Sequence, residues 1–347
     1  MSADVFTIDS YAFQGCNKLT TIYGYSGSTA ETYASANSKT FIPLAKVDTK
    51  QLVLGTDISV RIYAYLSDAE DGAQMRVTMN GKTTVLDGVA TGEKPYEYMF
   101  TYKGVAPQCL GDEITAVLIK DEDVLDDTYA DFSVLSYCKE VMAMLEGSEN
   151  YEKTCKLIVD LMEYGAAAQT YRSYKTASLV NTDSTISELA ALKTAYVEPT
   201  SATRTLTASS SQTVKFKAAS VFFDYDNKLM FKFVAPGVDG TFNIEVTAPG
   251  ALTPTRYELS DCTLLDAETS LYVLYTDSIS AVNVAKYEGD HAMYTIELKN
   301  GDTVIQSLTY GIPTYVLAMA SGEDLAMANL AKALYTYGCS AYEYVNG

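Results

Sequence analysis

The chain has 347 residues, of which 48% are hydrophobic and 20% are charged, so it can bury more than one hydrophobic core. Its 44 acidic and 25 basic side chains give a formal net charge of −19, and the basic residues are scattered, which disfavours nucleic-acid partners. No stretch approaches the roughly 18 apolar residues of a membrane-spanning helix, and a single histidine, His291, excludes sites that need two imidazoles.

The first forty residues have the pattern of one solenoid turn followed by a short helix. Short extended pieces surround a tight turn at residues 15–17, with apolar side chains at Ile8, Phe13, Cys16, Leu19 and Ile22. One such turn cannot bury its apolar face alone, because solenoid repeats are stabilised by stacking on their neighbours. Ser28 and Glu31 have the spacing of a capping box, which predicts a short helix over residues 28–34.

These residues carry a resemblance to a known family. The string IDSYAFQGCNKLTTI resembles the last repeat of BspA-like leucine-rich-repeat proteins, and YGYSGSTAETYASANSKTF is similar to the segment that closes such arrays. The resemblance covers residues 5–44 and implies a secreted or cell-surface parent protein of a host-associated microbe. It implies no catalytic residue. Residues 1–4 show no signal-peptide pattern, as expected either for a cytoplasmic protein or for a fragment of a secreted one. The composition, rich in Thr, Ser, Tyr, Gly and Asp and poor in Lys, Arg and His, favours a fragment lacking its signal peptide.

An internal repeat occupies the rest of the chain. Residues 137–165 align without a gap with residues 310–338 at an offset of 173, and both windows end in Tyr-Gly, at Tyr164-Gly165 and Tyr337-Gly338. Each window has the apolar spacing of two helices joined by a turn, which predicts a helical hairpin. A glycine within a helix costs about 1 kcal/mol relative to alanine, so its recurrence indicates a close approach of other residues.

Upstream of each hairpin the hydrophobic period becomes two, as in half-buried strands. Asn80-Gly81 and Asn300-Gly301 are strong signals for β-hairpin turns. Strands are predicted near residues 58–66, 73–79, 83–87, 96–104 and 114–120, and again near 213–221, 228–234, 241–247, 270–276, 293–299 and 302–309.

The predicted fold class is therefore α+β: two tandem modules, each an antiparallel β-sandwich followed by an α-hairpin, behind a short leucine-rich-repeat cap. The predicted domains are the cap at 1–44, module 1 at 45–175, a Ser/Thr/Ala-rich linker at 176–211 and module 2 at 212–347. Residues 187–192 of the linker have the composition of one short helix. The whole tandem also resembles uncharacterised repeats of bacterial surface proteins.

No catalytic, cofactor-binding or metal-binding residue is predicted. The acidic runs at residues 121–127 and 68–71 read as solvated turns, with calcium binding as the alternative. Glycoside hydrolysis needs a pair of carboxylates across a cleft, and no motif singles out such a pair. His291 lies in a predicted turn, which favours an exposed histidine over a Cys–His nucleophile. The six cysteines include no CxxC motif, and we interpret most of them as small hydrophobic residues.

Tyrosine is the unusual residue of this chain, with 28 copies and no tryptophan. Tyrosine gives a large contact area at a low entropic cost, although partly buried tyrosines are also common in ordinary packing. The candidate partner-binding residues are Tyr63, Tyr65, Tyr171, Tyr174, Tyr342 and Tyr344.

The sequence thus predicts a non-enzymatic binding module of a secreted or cell-surface bacterial protein. Its expected partner is a host or cell-surface macromolecule, protein or glycan, and the resemblance adds an immunoglobulin as one candidate. The negative charge favours a partner with a basic surface. The alternatives are a carbohydrate-active or carbohydrate-binding module and a structural spacer that presents upstream repeats.

Overall fold

The structure is a computed structural model that describes residues 7–67, 70–127, 131–200, 202–211, 213–238, 240–285 and 292–347. Two residues singled out from the sequence, Asp68 and His291, lie outside the described residues. The mixture of helices and antiparallel sheets confirms the α+β class. The chain divides into two compact units: the first is Met1–Val53, Ser59–Lys103 and Asp112–Val134, and the second is Leu54–Ile58, Gly104–Gly111 and Leu135–Gly347.

The N-terminal part of the first unit consists of two short parallel strands joined through a helix. These are β1 (Thr21–Gly24), α1 (Thr29–Ala36) and β2 (Thr40–Pro43). Tyr33 of α1 is buried against Ile22 of β1, and the ring of Phe13 meets that of Tyr33 edge to face at 5.4 Å. This small apolar cluster holds the helix on the strand pair.

The predicted short helix is confirmed, but its capping box differs from the expectation. Ser28 is the N-cap residue and its side chain makes no capping hydrogen bond. The Glu31 carboxylate instead accepts from the backbone N–H of Gly27 at 2.6 Å, one residue further back. The acidic side chain thus still satisfies a backbone donor at the start of the helix, without the reciprocal serine bond.

Two four-stranded antiparallel sheets form the rest of the first unit, in the orders β3-β4-β8-β7 and β10-β9-β5-β6. The Asn80-Gly81 turn between β5 and β6 has positive φ at both residues, 52° and 74°, which confirms the predicted hairpin. The strands are β3 (Lys46–Leu54), β4 (Ile58–Tyr65), β5 (Gln74–Met79), β6 (Lys82–Asp87), β7 (Val89–Ala90), β8 (Glu97–Tyr102), β9 (Ile114–Lys120) and β10 (Asp123–Asp126).

The second unit contains two more antiparallel sheets, in the orders β12-β13-β17-β16 and β11-β19-β18-β14-β15. Buried aromatic rings join them: Phe233 of one sheet lies 6.0 Å from Phe242 of the other, between ring centroids. The strands are β11 (Thr205–Leu206), β12 (Lys215–Phe223), β13 (Asn227–Val234), β14 (Phe242–Thr247), β15 (Thr255–Glu258), β16 (Thr263–Asp266), β17 (Leu271–Tyr275), β18 (Tyr294–Asn300) and β19 (Thr303–Tyr310).

The two units use the same strand orders. If β3 to β10 are matched with β12 to β19 in chain order, the two sets of sheets have the same arrangement. The order β3-β4-β8-β7 becomes β12-β13-β17-β16, and the order β10-β9-β5-β6 becomes β19-β18-β14-β15. A short 3-10 turn also precedes each of two matching strands: Pro107–Cys109 lies before β9, and Ala281–Asn283 lies before β18. Among these sheets only β11 has no counterpart in the described residues. This correspondence is what a duplicated sequence would produce.

The predicted helical hairpins are present as α2 (Val134–Leu145) with α3 (Tyr151–Tyr171) and α5 (Ile312–Ala320) with α6 (Leu325–Asn346). Between them, α4 (Ser184–Glu188) and a 3-10 turn (Ala190–Leu192) take the place of the single short helix expected over 187–192. By their contacts, α3 and α6 both belong to the second unit.

Helices α3 and α6 run antiparallel and pack along their length. Lys156 Nζ lies 2.8 Å from Glu343 Oε2, and the buried rings of Tyr164 and Tyr337 stack with centroids 5.9 Å apart and planes 7° apart. These two tyrosines are counterparts at the repeat offset of 173. A residue that stacks on its own counterpart lies on a local two-fold axis, so the two helices are related by approximate two-fold symmetry.

The repeated glycines mark two equivalent close approaches. A Cβ atom at Gly165 would lie 2.6 Å from Leu110 Cδ1 and 3.0 Å from the Pro107 carbonyl oxygen. A Cβ atom at Gly338 would lie 2.7 Å from Val284 Cβ. Leu110 and Val284 each follow one of the two matching 3-10 turns, so both glycines allow a helix to touch the same kind of turn.

Candidate functional site

A groove of about 330 Å³ lies along α3 and α6, beside the segment that joins α3 to the second pair of sheets. Its helical walls carry small side chains, among them Ala166, Ala167 and Ala333. Because these side chains do not fill the space between the helices, a depression remains. The connecting segment contributes Asn181, Lys193, Thr194 and Tyr196.

The Asp160 carboxylate fixes the connecting segment to α3. It is 1% exposed and accepts hydrogen bonds from the backbone N–H of Thr194 at 3.0 Å and from the Thr194 hydroxyl at 2.5 Å. Burial raises the pKa of Asp160, and the hydrogen bonds from Thr194 oppose that rise. This buried carboxylate therefore helps to fix the position of the groove's outer wall.

Because the pKa of Asp160 is raised on folding, the folded chain binds this proton more tightly than the unfolded chain does. The contribution of the group to stability therefore falls as the pH rises through the folded pKa. We therefore compare the free energies of unfolding of wild type and Asp160→Asn. The advantage of wild type over the variant should grow as the pH is lowered from neutral into the mildly acidic range. Urea unfolding of both proteins across that range measures it, and a difference that shrinks on acidification would contradict the assignment.

The other charges of the groove are also paired within the protein. The Glu163 carboxylate accepts from Asn181 Nδ2 at 3.1 Å and lies 2.5 Å from Lys193 Nζ. Lys332 Nζ lies 5.5 Å from the centroid of the Tyr196 ring, in cation–π geometry. The groove thus presents two acidic and two basic side chains, each with a partner of its own.

Two buried polar atoms in the groove have no such partner. Asn181 Oδ1 and the Tyr196 hydroxyl are both buried, and neither forms a hydrogen bond with any residue in the described part of the chain. Burial raises the pKa of Tyr196, which keeps its hydroxyl protonated and able to donate. Two side chains that line the groove therefore leave one acceptor and one hydroxyl without a partner in the described residues, both out of contact with solvent, while the charges around them are paired.

The structure places the predicted binding tyrosines Tyr63 and Tyr65 on β4 of the first unit. The Tyr63 hydroxyl donates to Gln51 Oε1 at 3.1 Å. Tyr65 is only 7% exposed, and Lys94 Nζ lies 5.9 Å from its ring centroid. Tyr63 therefore offers more surface to a partner than Tyr65 does.

The other four predicted tyrosines lie at the C-terminal ends of α3 and α6. Tyr171 and Tyr174 each have a basic side chain over the ring, at 5.5 and 5.3 Å, and Tyr344 is 39% exposed with Lys153 at 5.4 Å. Tyr342 is half-buried. Since the helices are antiparallel, the two pairs lie at opposite ends and do not form one surface. None of the six lines the groove, and their role in binding stays a prediction.

The acidic run at 121–127 covers the turn between β9 and β10, where Asp121 and Glu122 have φ of 49° and 70°, and strand β10 itself. Asp126 accepts from the backbone N–H of Val47 at 2.7 Å, which ties β10 to β3. No cluster of three metal-ligating side chains occurs in the ranges that the structure describes.

The six cysteines are free thiols, with Cys138 and Cys155 buried. In the same ranges no helix is both long and apolar enough to cross a membrane.

Comparisons with known proteins add little to this geometry. No family model matches the chain, and no curated protein matches it. Among solved structures, it is similar to a pullulanase type I from Bacillus subtilis str. 168 complexed with maltose, at 7% identity and a TM-score of 0.16. The match covers 76% of this chain and 24% of that one. A likeness this weak carries no argument about fold or function.

Proposed function

We propose that this chain is a non-enzymatic binding module of a secreted or cell-surface bacterial protein, and that its groove receives a neutral, hydroxyl-rich group of the partner, such as a glycan. The observation that carries the proposal is the pair of unpartnered buried atoms, Asn181 Oδ1 and Tyr196 OH. Buried polar groups in proteins are nearly always hydrogen-bonded. Once small side-chain movements expose these two atoms, a ligand hydroxyl can donate to the amide oxygen and another can accept from the phenol.

The charges of the groove favour a neutral ligand. Glu163 is paired with Lys193, Asp160 is held by Thr194, and Lys332 lies over the Tyr196 ring. A charged ligand would have to compete with these internal partners, whereas hydroxyl groups need only the two free atoms. The volume of about 330 Å³ is at the lower end of the range for small-ligand sites, which fits one or two sugar rings.

The same contacts favour binding over catalysis. Asp160 and Glu163 both line the groove, and paired carboxylates are what glycoside hydrolysis uses. A general acid or base must reach the substrate to transfer a proton. Asp160 is 1% exposed and directs its oxygens at Thr194, while Glu163 directs its oxygens at Asn181 and Lys193. Both carboxylates are thus occupied in holding the groove together.

The proposal includes the finer architecture expected from the sequence: two tandem sandwich-plus-hairpin modules behind a leucine-rich-repeat cap. The matching strand orders and the Tyr164–Tyr337 stack support the duplication, and the parallel β1–β2 pair supports a repeat-like cap. Duplicated modules suit a binding protein, because two weak contacts on one chain gain avidity from their high effective concentration.

The test of the groove is the substitution Tyr196→Phe, which removes one oxygen and keeps the ring under Lys332. Neutral oligosaccharides and candidate host glycoproteins, immunoglobulin included, are titrated against the whole chain by calorimetry. For those that bind, we expect Tyr196→Phe to weaken the affinity about tenfold, since one hydrogen bond is lost. The melting temperature should stay unchanged because the hydroxyl has no partner in the described protein.

The matched control is Tyr11→Phe, which removes the same atom from a tyrosine that is 69% exposed and remote from the groove residues in sequence. It should bind like wild type. If neither glycan nor glycoprotein binds, the spacer alternative replaces the proposal. Release of new reducing ends during the titration would establish the enzyme alternative instead.

A further inference from the structure

One sheet surface of the second unit carries positive charge, whereas the chain as a whole is strongly negative. Strands β12 and β13 together contain four lysines, Lys215, Lys217, Lys228 and Lys232, and no aspartate or glutamate. The chain as a whole has 44 acidic and 25 basic residues, so a lysine-only pair of strands is a local reversal of charge. In the sequence these lysines look scattered, and the pairing of the two strands brings them together.

The register of the sheet puts most of these lysines on one face. Phe231 and Phe233 of β13 point into the core and are fully buried, so the alternate residues Lys228, Met230 and Lys232 point outward. Their partners on β12 are Phe222, Ser220 and Ala218 respectively, and Lys215 pairs with Val234. Lys228 and Lys232 are four residues apart on one strand, which separates their backbones by about 13 Å.

An exposed aromatic pair lies on the same face. Phe222 of β12 is 37% exposed and Tyr275 of β17 is 39% exposed, and their ring centroids are 5.0 Å apart with planes at 65°. Tyr275 pairs with Met230, and β13 lies between the strands that carry the two rings. The rings therefore lean toward each other over β13, beside the lysines.

Three of the lysines have no acidic partner. Lys228 Nζ lies 3.1 Å from Asp226 Oδ2, whereas Lys215, Lys217 and Lys232 form no ion pair with any residue that the structure describes. Unpaired ammonium groups on the same sheet face as exposed aromatic rings can contact the anionic groups of an extended ligand while the rings pack on its apolar faces. The net charge of −19 opposes an anion at long range, but salt screens it beyond about 8 Å at physiological ionic strength.

We propose that this face, formed by Lys215, Lys228, Lys232, Phe222 and Tyr275, with Lys217 at the adjoining bulge, binds an anionic glycan. The carboxylate or sulfate groups contact the lysines, and the C–H face of a sugar ring packs on the aromatic pair. A glycan fits better than an acidic peptide, because the lysines and rings lie on the face of the sheet, whereas a peptide strand would add at the edge of β12, beside this face and not on it; β13 at its centre is hydrogen-bonded on both sides to β12 and β17. A peptide could not add to β13 as a further strand.

The test measures binding of the whole chain to immobilised chondroitin sulfate, hyaluronate, dextran and poly-L-glutamate at physiological salt. The variant Lys215→Ala/Lys232→Ala removes two unpaired lysines of the face. The control Lys82→Ala/Lys103→Ala removes two exposed lysines of the first unit. A third variant, Phe222→Ala, removes one exposed ring. Melting temperatures of all variants confirm that each is folded.

We expect the whole chain to bind the sulfated or carboxylated glycan and not dextran. The affinity should be about tenfold weaker in Lys215→Ala/Lys232→Ala and in Phe222→Ala, and unchanged in the control. Chondroitin sulfate and hyaluronate distinguish sulfate from carboxylate recognition. Equal weakening by the control, equal or tighter binding of poly-L-glutamate, or no anionic binding at all would overturn the proposal. The face shares no residue with the groove, so Tyr196→Phe should leave this binding intact and either proposal can fail alone.

Discussion

Replacing Tyr337 by alanine is expected to lower the free energy of unfolding by about 3–5 kcal/mol, the usual cost of removing a large buried aromatic side chain. The ring is buried and stacks on Tyr164 with planes 7° apart. It lies at the local two-fold axis that relates α3 to α6. Its loss opens a cavity between the two helices that hold the groove. Urea unfolding followed by circular dichroism measures the change.

The control distinguishes the ring from its hydroxyl. Tyr337→Phe keeps the stack and should change stability far less than Tyr337→Ala. Tyr164→Phe should cost about 1 kcal/mol, because the Tyr164 hydroxyl donates to Asn227 Oδ1 at 3.1 Å. A loss under 1 kcal/mol in Tyr337→Ala would show that the two helices do not depend on this contact.

Gly165→Leu is expected to destabilise the protein by about 2 kcal/mol. Even a Cβ atom there would lie 3.0 Å from the Pro107 carbonyl oxygen, part of the backbone, and 2.6 Å from Leu110 Cδ1. Overpacking at such a site costs about 3 kcal/mol, and the better helix propensity of leucine returns about 1 kcal/mol. Thermal and urea unfolding of the variant measure the net effect.

Ala167→Leu is the matched comparison on the same helix, two residues away. Ala167 is partly exposed and lines the groove, so a leucine there has room to extend. It should leave stability within about 0.5 kcal/mol of wild type while occupying space that a ligand would need. Equal stability losses in the two variants would contradict the close approach at Gly165.

The strands and helical hairpins could be predicted from the sequence because their signals are local. The prediction of strand β9 over 114–120 is confirmed, and Asn80-Gly81 forms the expected turn, with positive φ at both residues. At the second hairpin Asn300 still pairs with Thr303, so the loop is Gly301-Asp302 and only Gly301 has a positive φ. Strand β3 was missed since it is an edge strand with one exposed side, and the polar residues of Lys46–Leu54 weaken its period of two.

The groove and the lysine face could not be predicted, because both arise from pairing across long sequence separations. Asn181 and Tyr196 lie in a segment whose composition indicates a linker, and bonds from Thr194 to Asp160 and from Asn181 and Lys193 to Glu163 place it beside α3. Likewise, Lys215 and Lys232 become neighbours on one face only through the β12–β13 register, which includes a bulge between Phe216 and Ala218. The tyrosine count pointed to binding, but it did not indicate which tyrosine faces a groove.

The most direct test of the central claim, that this chain binds through the groove without catalysis, is a crystal structure with the tightest-binding neutral oligosaccharide. We expect an intact sugar between α3 and α6, with hydroxyl oxygens within about 2.7–3.2 Å of Asn181 Oδ1 and Tyr196 OH. An empty groove with the sugar bound elsewhere, or a cleaved sugar inside the groove, would contradict it.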